Sequence, residues 1–192
     1  EILGSITDFE DPFRPLPATS GGVMVANKGD EEWVLLIGKR SEETHTNSGL
    51  FSIFPNGKCE YRDLREGFEK TVEREFKEEI FNDQKKGEMF YRKHVDTKRI
   101  LAGWNLRSGS FTVSHALIIN SRVSYDVMNE ISEHNDEIEK IIEVPITDVS
   151  MIAEKANLEN MSATAISTIF ETLLRIDKSS KFPDLPYDIT RK

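Results

Sequence analysis

A chain of 192 residues, 38% hydrophobic and 31% charged, is long enough for one well-buried domain, short for two, and too apolar for a disordered segment. Its net charge of −9 and isoelectric point near 5.1 argue against long nucleic acid or an anionic membrane as partner, since Lys and Arg are not in excess to neutralise phosphates. One cysteine, Cys59, excludes an intramolecular disulfide and a cysteine-rich zinc site.

No apolar run approaches the ~20 residues that span a bilayer, and the first residues lack the basic and apolar regions of a signal peptide. A reducing, cytoplasmic setting is the expectation. A small nucleotide remains compatible with the acidic chain, because carboxylates can hold a divalent metal that supplies local positive charge.

Residues 1–20 carry three prolines and little periodicity, which predicts an extended leader. The branched apolar runs "GVMVAN" (22–27) and "EWVLLIGKR" (32–40) flank the turn-like "KGDE", as in a hairpin. "GLFSIFPNGK" (49–58) reads as a short buried strand ending in a Pro/Asn/Gly turn. From about Leu64 to Phe81 the period becomes helical, with Asp63 and Glu66 spaced as a capping arrangement and Gly67 an equal choice of N-cap. "RILAGWN" (99–105) and "SFTVSHALIIN" (110–120) form a further strand pair, and "IEKIIEVPI" (138–146) another strand. Ile166, Ile169, Phe170 and Leu173 mark a closing helix over 162–178. Residues 179–192 read as an irregular tail. This order of elements predicts a mixed sheet with helices packed on it, an α/β fold.

The segment "VEREFKEEIF" (72–81) raises a physical question, because it crowds Glu73, Glu75, Glu78 and Glu79 around Arg74. At roughly 100° per residue, Glu75, Glu78 and Glu79 fall within an arc of about 100°, beside Val72 and Phe76. These carboxylates border the buried face, whereas Glu73 and Lys77 lie further round and are expected to be solvated. Carboxylates near a dry surface raise one another's pKa unless a cation compensates, and Arg74 offers only one charge. Oxygen ligands at this density suit Mg²⁺ or Mn²⁺. On this segment alone, a solvated Glu-rich helix face is an equal reading, with Glu73 and Lys77 in i,i+4 support.

Arg74, Glu75, Phe76, Glu78 and Glu79, with Glu66 upstream, resemble the signature of the Nudix hydrolases: Gly, five residues, Glu, seven residues, then Arg-Glu-apolar-any-Glu-Glu-any-Gly-apolar. "FPNGK" (54–58) looks like the turn that opens that signature. The element order resembles the family's α/β/α sandwich, a mixed sheet between helices, over most of residues 20–178. The implied organisation is a leader (1–20), a Nudix-type domain (21–178) and a tail (179–192). Two departures stand out. Gly57 lies three residues too far from Glu66, so that either the loop carries an insertion or Glu60 occupies the strict Gly position, and Ile80-Phe81-Asn82 replaces the glycine after the last carboxylates. Asn82 is the residue expected to supply a left-handed helix end.

The resemblance implies an Mg²⁺- or Mn²⁺-dependent pyrophosphohydrolase that cleaves a nucleoside diphosphate linked to another moiety. It assigns Glu75, Glu78, Glu79 and the Gly57 carbonyl to the metal. Arg74 is expected to orient a Glu by charge-assisted hydrogen bonding, and Glu66 to brace the loop against the helix. A further ligand or base is expected from "NEISEHNDEIEK" (129–140), read as an acidic loop, with Glu133 or Glu137 reaching the metal. Arg40, Lys39 and Lys58 are candidates for phosphate, and Trp104 or Phe51 for stacking on a base. His45, His94, His115 and Cys59 receive no catalytic role.

The alternative of a different class is a Nudix-like nucleotide sensor without turnover, motivated by the altered box. An isopentenyl diphosphate isomerase fits poorly, since that chemistry calls for a Cys and placed His residues. The partner implied is a small nucleotide substrate; a homodimer through the leader or the closing helix is compatible with the sequence but not specified by it.

Overall fold

Alternation of burial along the first strand organises the molecule. In β1 (Ala18–Gly29), Val23 and Val25 face one core while Met24 and Ala26 face another. A strand apolar on both faces must lie in a sheet covered on both sides. The structure is a computed structural model that describes residues 18–30, 32–43, 48–81, 83–105, 110–132, 136–147 and 158–175. The proposed leader up to residue 17, His45, Asn82, Glu133, His134 and the tail lie outside the described residues. Ala18–Ser20, read as the end of the leader, belong instead to β1.

β1 runs antiparallel to β2 (Glu32–Arg40) and parallel to β6 (Ser110–Ile119), which pairs in turn with β5 (Val95–Asn105). The edge of β1 that meets β2 at Met24–Gly29 meets β4 (Asn56–Lys58) at Thr19–Gly21. Beyond this fork, β2 pairs with β3 (Phe51–Ser52), and along its other edge with β7 (Ile138–Pro145). Ile53 and Phe54, buried between β3 and β4, plug the fork, and Gly22 N–H donates to the Pro55 carbonyl at 2.8 Å. The two expected strand pairs are present as antiparallel pairs.

The helical segment after the fork is two helices, α1 (Tyr61–Glu66) and α2 (Phe68–Ile80), broken at Gly67, whose φ of 114° serves as the N-cap of α2. Glu60 caps α1, and its backbone N–H donates to Asp63 at 3.2 Å. Glu60, at the strict Gly position of the signature, thus caps α1. α3 (Gln84–His94) was not read from the sequence. Its apolar residues Met89, Phe90 and Tyr91 are adjacent rather than spaced on one face, and Gly87 lowers its propensity. It forms through the Asp83 cap, which accepts from Lys85 N and Lys86 N, and through the Phe90 and Tyr91 rings, 6.1 and 5.2 Å from Phe76.

α4 (Arg122–Ser132) takes in residues 129–132, which were expected in a loop. α5 (Ala163–Arg175) is the closing helix. α2, α3 and α4 pack over one face through Val72, Phe76, Phe90, Tyr91, Tyr125 and Met128. α5 covers the other face through Ala165 and Ile169. No helix among the described residues is long and apolar enough to cross a membrane.

Candidate functional site

The inner stripe of α2, Val72, Phe76 and Ile80, is buried. That burial turns the neighbouring arc of carboxylates toward the β4 turn at the fork. Glu79 is 3% exposed, and its Oε1 accepts from Asn56 N–H at 3.3 Å. Gly57 lies so close to Glu75 that a Cβ there would overlap the Glu75 carboxylate. A glycine is required at this position to let backbone and carboxylate meet. Glu78 is exposed.

Arg74 holds the outer part of the site together. Its guanidinium lies 2.6 Å from Glu75 and 3.0 Å from Glu78, and donates to Asp63 at 3.1 Å and to the Lys58 carbonyl at 2.8 Å. Burial works against its charge, but Glu75, Asp63 and Glu78 outweigh it and raise the Arg74 pKa. Arg74 thus contacts two of the α2 carboxylates. The loop brace, however, is Asp63 and not Glu66, which is exposed at the end of α1. Asp63 also accepts from Thr71 Oγ1 at 3.2 Å. Spacing marked Asp63 only as a cap, because its contact with α2 depends on the break at Gly67 folding α1 back onto α2.

Arg40 ends β2 beneath the site. It is 8% exposed, with Nη2 donating to Glu137 at 2.8 Å and Nη1 3.9 Å from Glu79 Oε1. Glu137, one of the two residues expected from outside the box, is therefore brought to the site. Burial raises the Glu79 carboxyl to about 8, with Arg40 opposing the rise and Glu75 and Glu137 adding to it. Glu75 is also raised, by burial first, against the pull of Arg74. Among the described residues, Glu79 Oε2 and Arg40 Nε are buried without a hydrogen-bond partner.

Other expectations part from the structure. Glu73, expected to be solvated, is 9% exposed and paired with Lys70 at 2.8 Å and Lys77 at 3.4 Å. α3 accounts for this, since Gly87 packs against Lys77 on the face assumed to be open. Lys39 is paired with Glu139 at 2.8 Å. Phe51 packs against the core on the α5 side. Lys58 is exposed on β4, beside Gly57.

Trp104 is 56% exposed and rests on Phe111 at 5.3 Å, on edge strand β5. Sheet order puts β5 three strands from β4, about 14 Å at strand spacing. A cleft of about 380 Å³ beside Trp104 is lined by Leu101, Thr112, Ala163 and Ser167, which places it against α5. His115 is fully buried, with Nδ1 3.4 Å from Ser20 Oγ and Nε2 3.7 Å from Glu69.

The residues fit a divalent cation by donor chemistry. Three carboxylates and a glycine carbonyl are hard oxygen donors, Glu79 Oε2 is buried and unpartnered, and the missing side chain at Gly57 leaves the Glu75 carboxylate approachable. Among the described residues no group of three or more Asp, Glu, His or Cys side chains is placed to hold a metal ion. Arg74 and Arg40 instead engage these carboxylates.

No family model matches the sequence, and no curated protein matches it. Solved structures do. The Nudix domain of Shewanella oneidensis NrtR, complexed with ADP ribose, is similar at 15% identity and a TM-score of 0.51, over 91% of this chain and 98% of that one. A mutT/Nudix family protein from Listeria innocua is similar at 15% identity and a TM-score of 0.53, over 82% and 91%. A bifunctional NMN adenylyltransferase/ADP ribose pyrophosphatase from Francisella tularensis, complexed with AMP and a manganese ion, matches at 14% identity and a TM-score of 0.54, over 90% of this chain and 46% of that one. With a mixed sheet between helices and α2 set against the β4 turn, this chain has the Nudix fold.

Proposed function

We propose that the protein is a divalent-metal-dependent hydrolase that cleaves the phosphoanhydride bond of a nucleoside diphosphate linked to another moiety. The observation that carries this reading is the meeting of α2 with the β4 turn, where Gly57 lies against Glu75 and Glu79 keeps one buried, unpartnered oxygen. Glu75, Glu78, Glu79 and the Gly57 carbonyl would hold Mg²⁺ or Mn²⁺, with Glu137 the carboxylate contributed from outside the helix. A cation bound there neutralises phosphate oxygens and acidifies water.

The chain's own groups do the rest. Arg74 fixes Glu75 and Glu78 in orientation. Glu79, whose carboxyl sits at about 8 by burial, becomes a proton acceptor once a cation compensates its charge. Arg40 and Lys58 stand at the inner and outer sides of the site for the phosphates.

The test is a panel of ADP-ribose, dinucleoside polyphosphates, NAD-like compounds, damaged nucleoside triphosphates and capped RNA ends, each with Mg²⁺ and Mn²⁺, with products read by mass. Two neighbours named with ADP ribose put that compound first. The expected result is metal-dependent release of a nucleoside monophosphate or diphosphate from one of them.

A second reading, a nucleotide-binding module without turnover, draws on the engagement of all three carboxylates by Arg74 and Arg40. Tight binding of one compound with no phosphate-containing product under either metal would favour it.

A further inference from the structure

The core-facing residues of α5, among them Ala165 and Ile169, account for one side of that helix only. The side turned away from the sheet carries Ala163, Ser167, Phe170 and Leu174. At roughly 100° per residue these four fall within an arc of about 60°. All are exposed, Phe170 by 42% and Leu174 by 80%. None is charged. Glu171 and Arg175, the charged residues of this helix, lie outside that arc by the same count. In a chain that is 31% charged, the outward face of a surface helix ordinarily carries Lys, Glu or Arg. Ser167 does not make up the difference, since its hydroxyl donates to the Ala163 carbonyl at 3.1 Å. A helix uncharged on its outer as well as its inner face is built to be covered on both.

The stripe is complementary to itself. Its large side chains stand in the C-terminal half and its small ones in the N-terminal half. Beside the small ones the cleft of about 380 Å³ opens toward Leu101, Gly103 and Trp104. Steps of four, three and four residues read the same in both directions along α5. A second α5 packed antiparallel about a two-fold axis therefore sets Phe170 opposite Ser167 and Leu174 opposite Ala163, large against small at every level. A parallel pairing would set Leu174 against Leu174 and leave both clefts open.

Area and charge favour the same occupant. With Trp104, itself 56% exposed, the stripe offers on the order of 450 Å² per copy, or about 900 Å² for a pair, close to the ~1,000 Å² at which specific interfaces begin. A net charge of −9 makes two copies repel over most of their surface, so a charge-free face is where they can approach.

We infer that α5 is a homodimer interface, on which a second copy of this chain packs antiparallel along Ala163, Ser167, Phe170 and Leu174, with Phe170 and Leu174 of each copy seated at the cleft of the other. The interface lies on the sheet face opposite α2. It does not rest on the hydrolase reading.

The test is sedimentation velocity of the full chain over about 1–500 µM, with folding followed by circular dichroism. Wild type is expected to show a reversible monomer–dimer equilibrium with a micromolar Kd, the strength suited to an interface of about this size. Phe170→Glu and Leu174→Glu, both at exposed positions, should each weaken the dimer about a hundredfold or more, and either carries the test if the other misfolds. Ala163→Leu and Leu174→Ala should each weaken it about tenfold, and the double variant, which exchanges large and small across the same pair, should recover to within about tenfold of wild type.

A wild type that stays monomeric throughout overturns the inference, whether a terminal segment of the chain or a different protein covers the face. A dimer undisturbed by the folded Glu variants removes it from α5. An Ala163→Leu variant that tightens the dimer, or a double variant no tighter than the singles, overturns the antiparallel register.

Discussion

At Glu79, burial and charge oppose each other. An acid that titrates at about 8 in the folded chain and near its unperturbed 4.5 in the unfolded one takes up a proton on folding across that interval. Its contribution to stability is therefore whole below pH 4.5 and is lost as pH rises toward 8. Glu79→Gln, which mimics the protonated acid, should abolish that loss. In chelator-treated protein, the melting temperature of the Gln variant should gain on wild type steadily from pH 5 to pH 8; a constant difference would show that Glu79 ionises freely. With Mg²⁺ or Mn²⁺ present, the same variant should fold but lose about a hundredfold or more in kcat, since a carboxylate at the reacting centre is gone. Wild-type turnover would remove Glu79 from the site. Gly57→Ala tests the opposite wall. Its Cβ would overlap the Glu75 carboxylate, and a displaced catalytic group costs about ten- to a hundredfold in rate, so an active Gly57→Ala would mean that Glu75 is free to move without consequence. The grouping of Glu75, Glu79 and Arg74 was legible in their spacing, because a single helix sets their angles. Arg40 and Asp63 were not legible as partners of α2, since the contacts join segments 39 and 11 residues apart along the chain.

Between elements, the joint at Gly67 matters most. α1 folds back onto α2 through Asp63, which is 6% exposed and takes hydrogen bonds from Glu60 N, Thr71 Oγ1 and Arg74. Burial alone would raise its carboxyl, but the Glu60 N–H and Arg74 reverse this and hold it below the usual range. Asp63→Ala should cost about 2–3 kcal/mol in urea denaturation, because a largely buried charge-assisted network loses its acceptor while Arg74 retains Glu75 and Glu78. A change under about 0.5 kcal/mol, the scale of an ordinary surface substitution, would mean the joint is held by something else. The break itself was half visible: Gly67 was an eligible N-cap, yet only its φ of 114° separates one long helix from two. α3 was invisible for a different reason. Its stability comes from Phe90 and Tyr91 docking on Phe76, a tertiary contact that no local period records.

Across the whole molecule, the two cores should be separable by mutation. Phe76 lies under α2 and Ile169 under α5, on opposite faces of the sheet. Phe76→Ala and Ile169→Ala should each cost about 2–5 kcal/mol. Below the melting transition, only Phe76→Ala should also depress kcat, because it unseats the helix that carries Glu75, Glu78 and Glu79. Equal loss of activity in the two variants would show that the faces are mechanically coupled. By itself the sequence determined the strand pairs, the closing helix and the angular grouping of the carboxylates. Those depend on periods of 2 and 3.6 residues within single segments, which hydrophobic patterning records directly. Only the tertiary structure decided that the sheet forks at β4, that Gly57 lies on Glu75, and that Arg40 and Glu137 stand beside Glu79. Each joins segments distant along the chain, and such contacts follow from how both faces of the sheet are covered at once, which no local window contains.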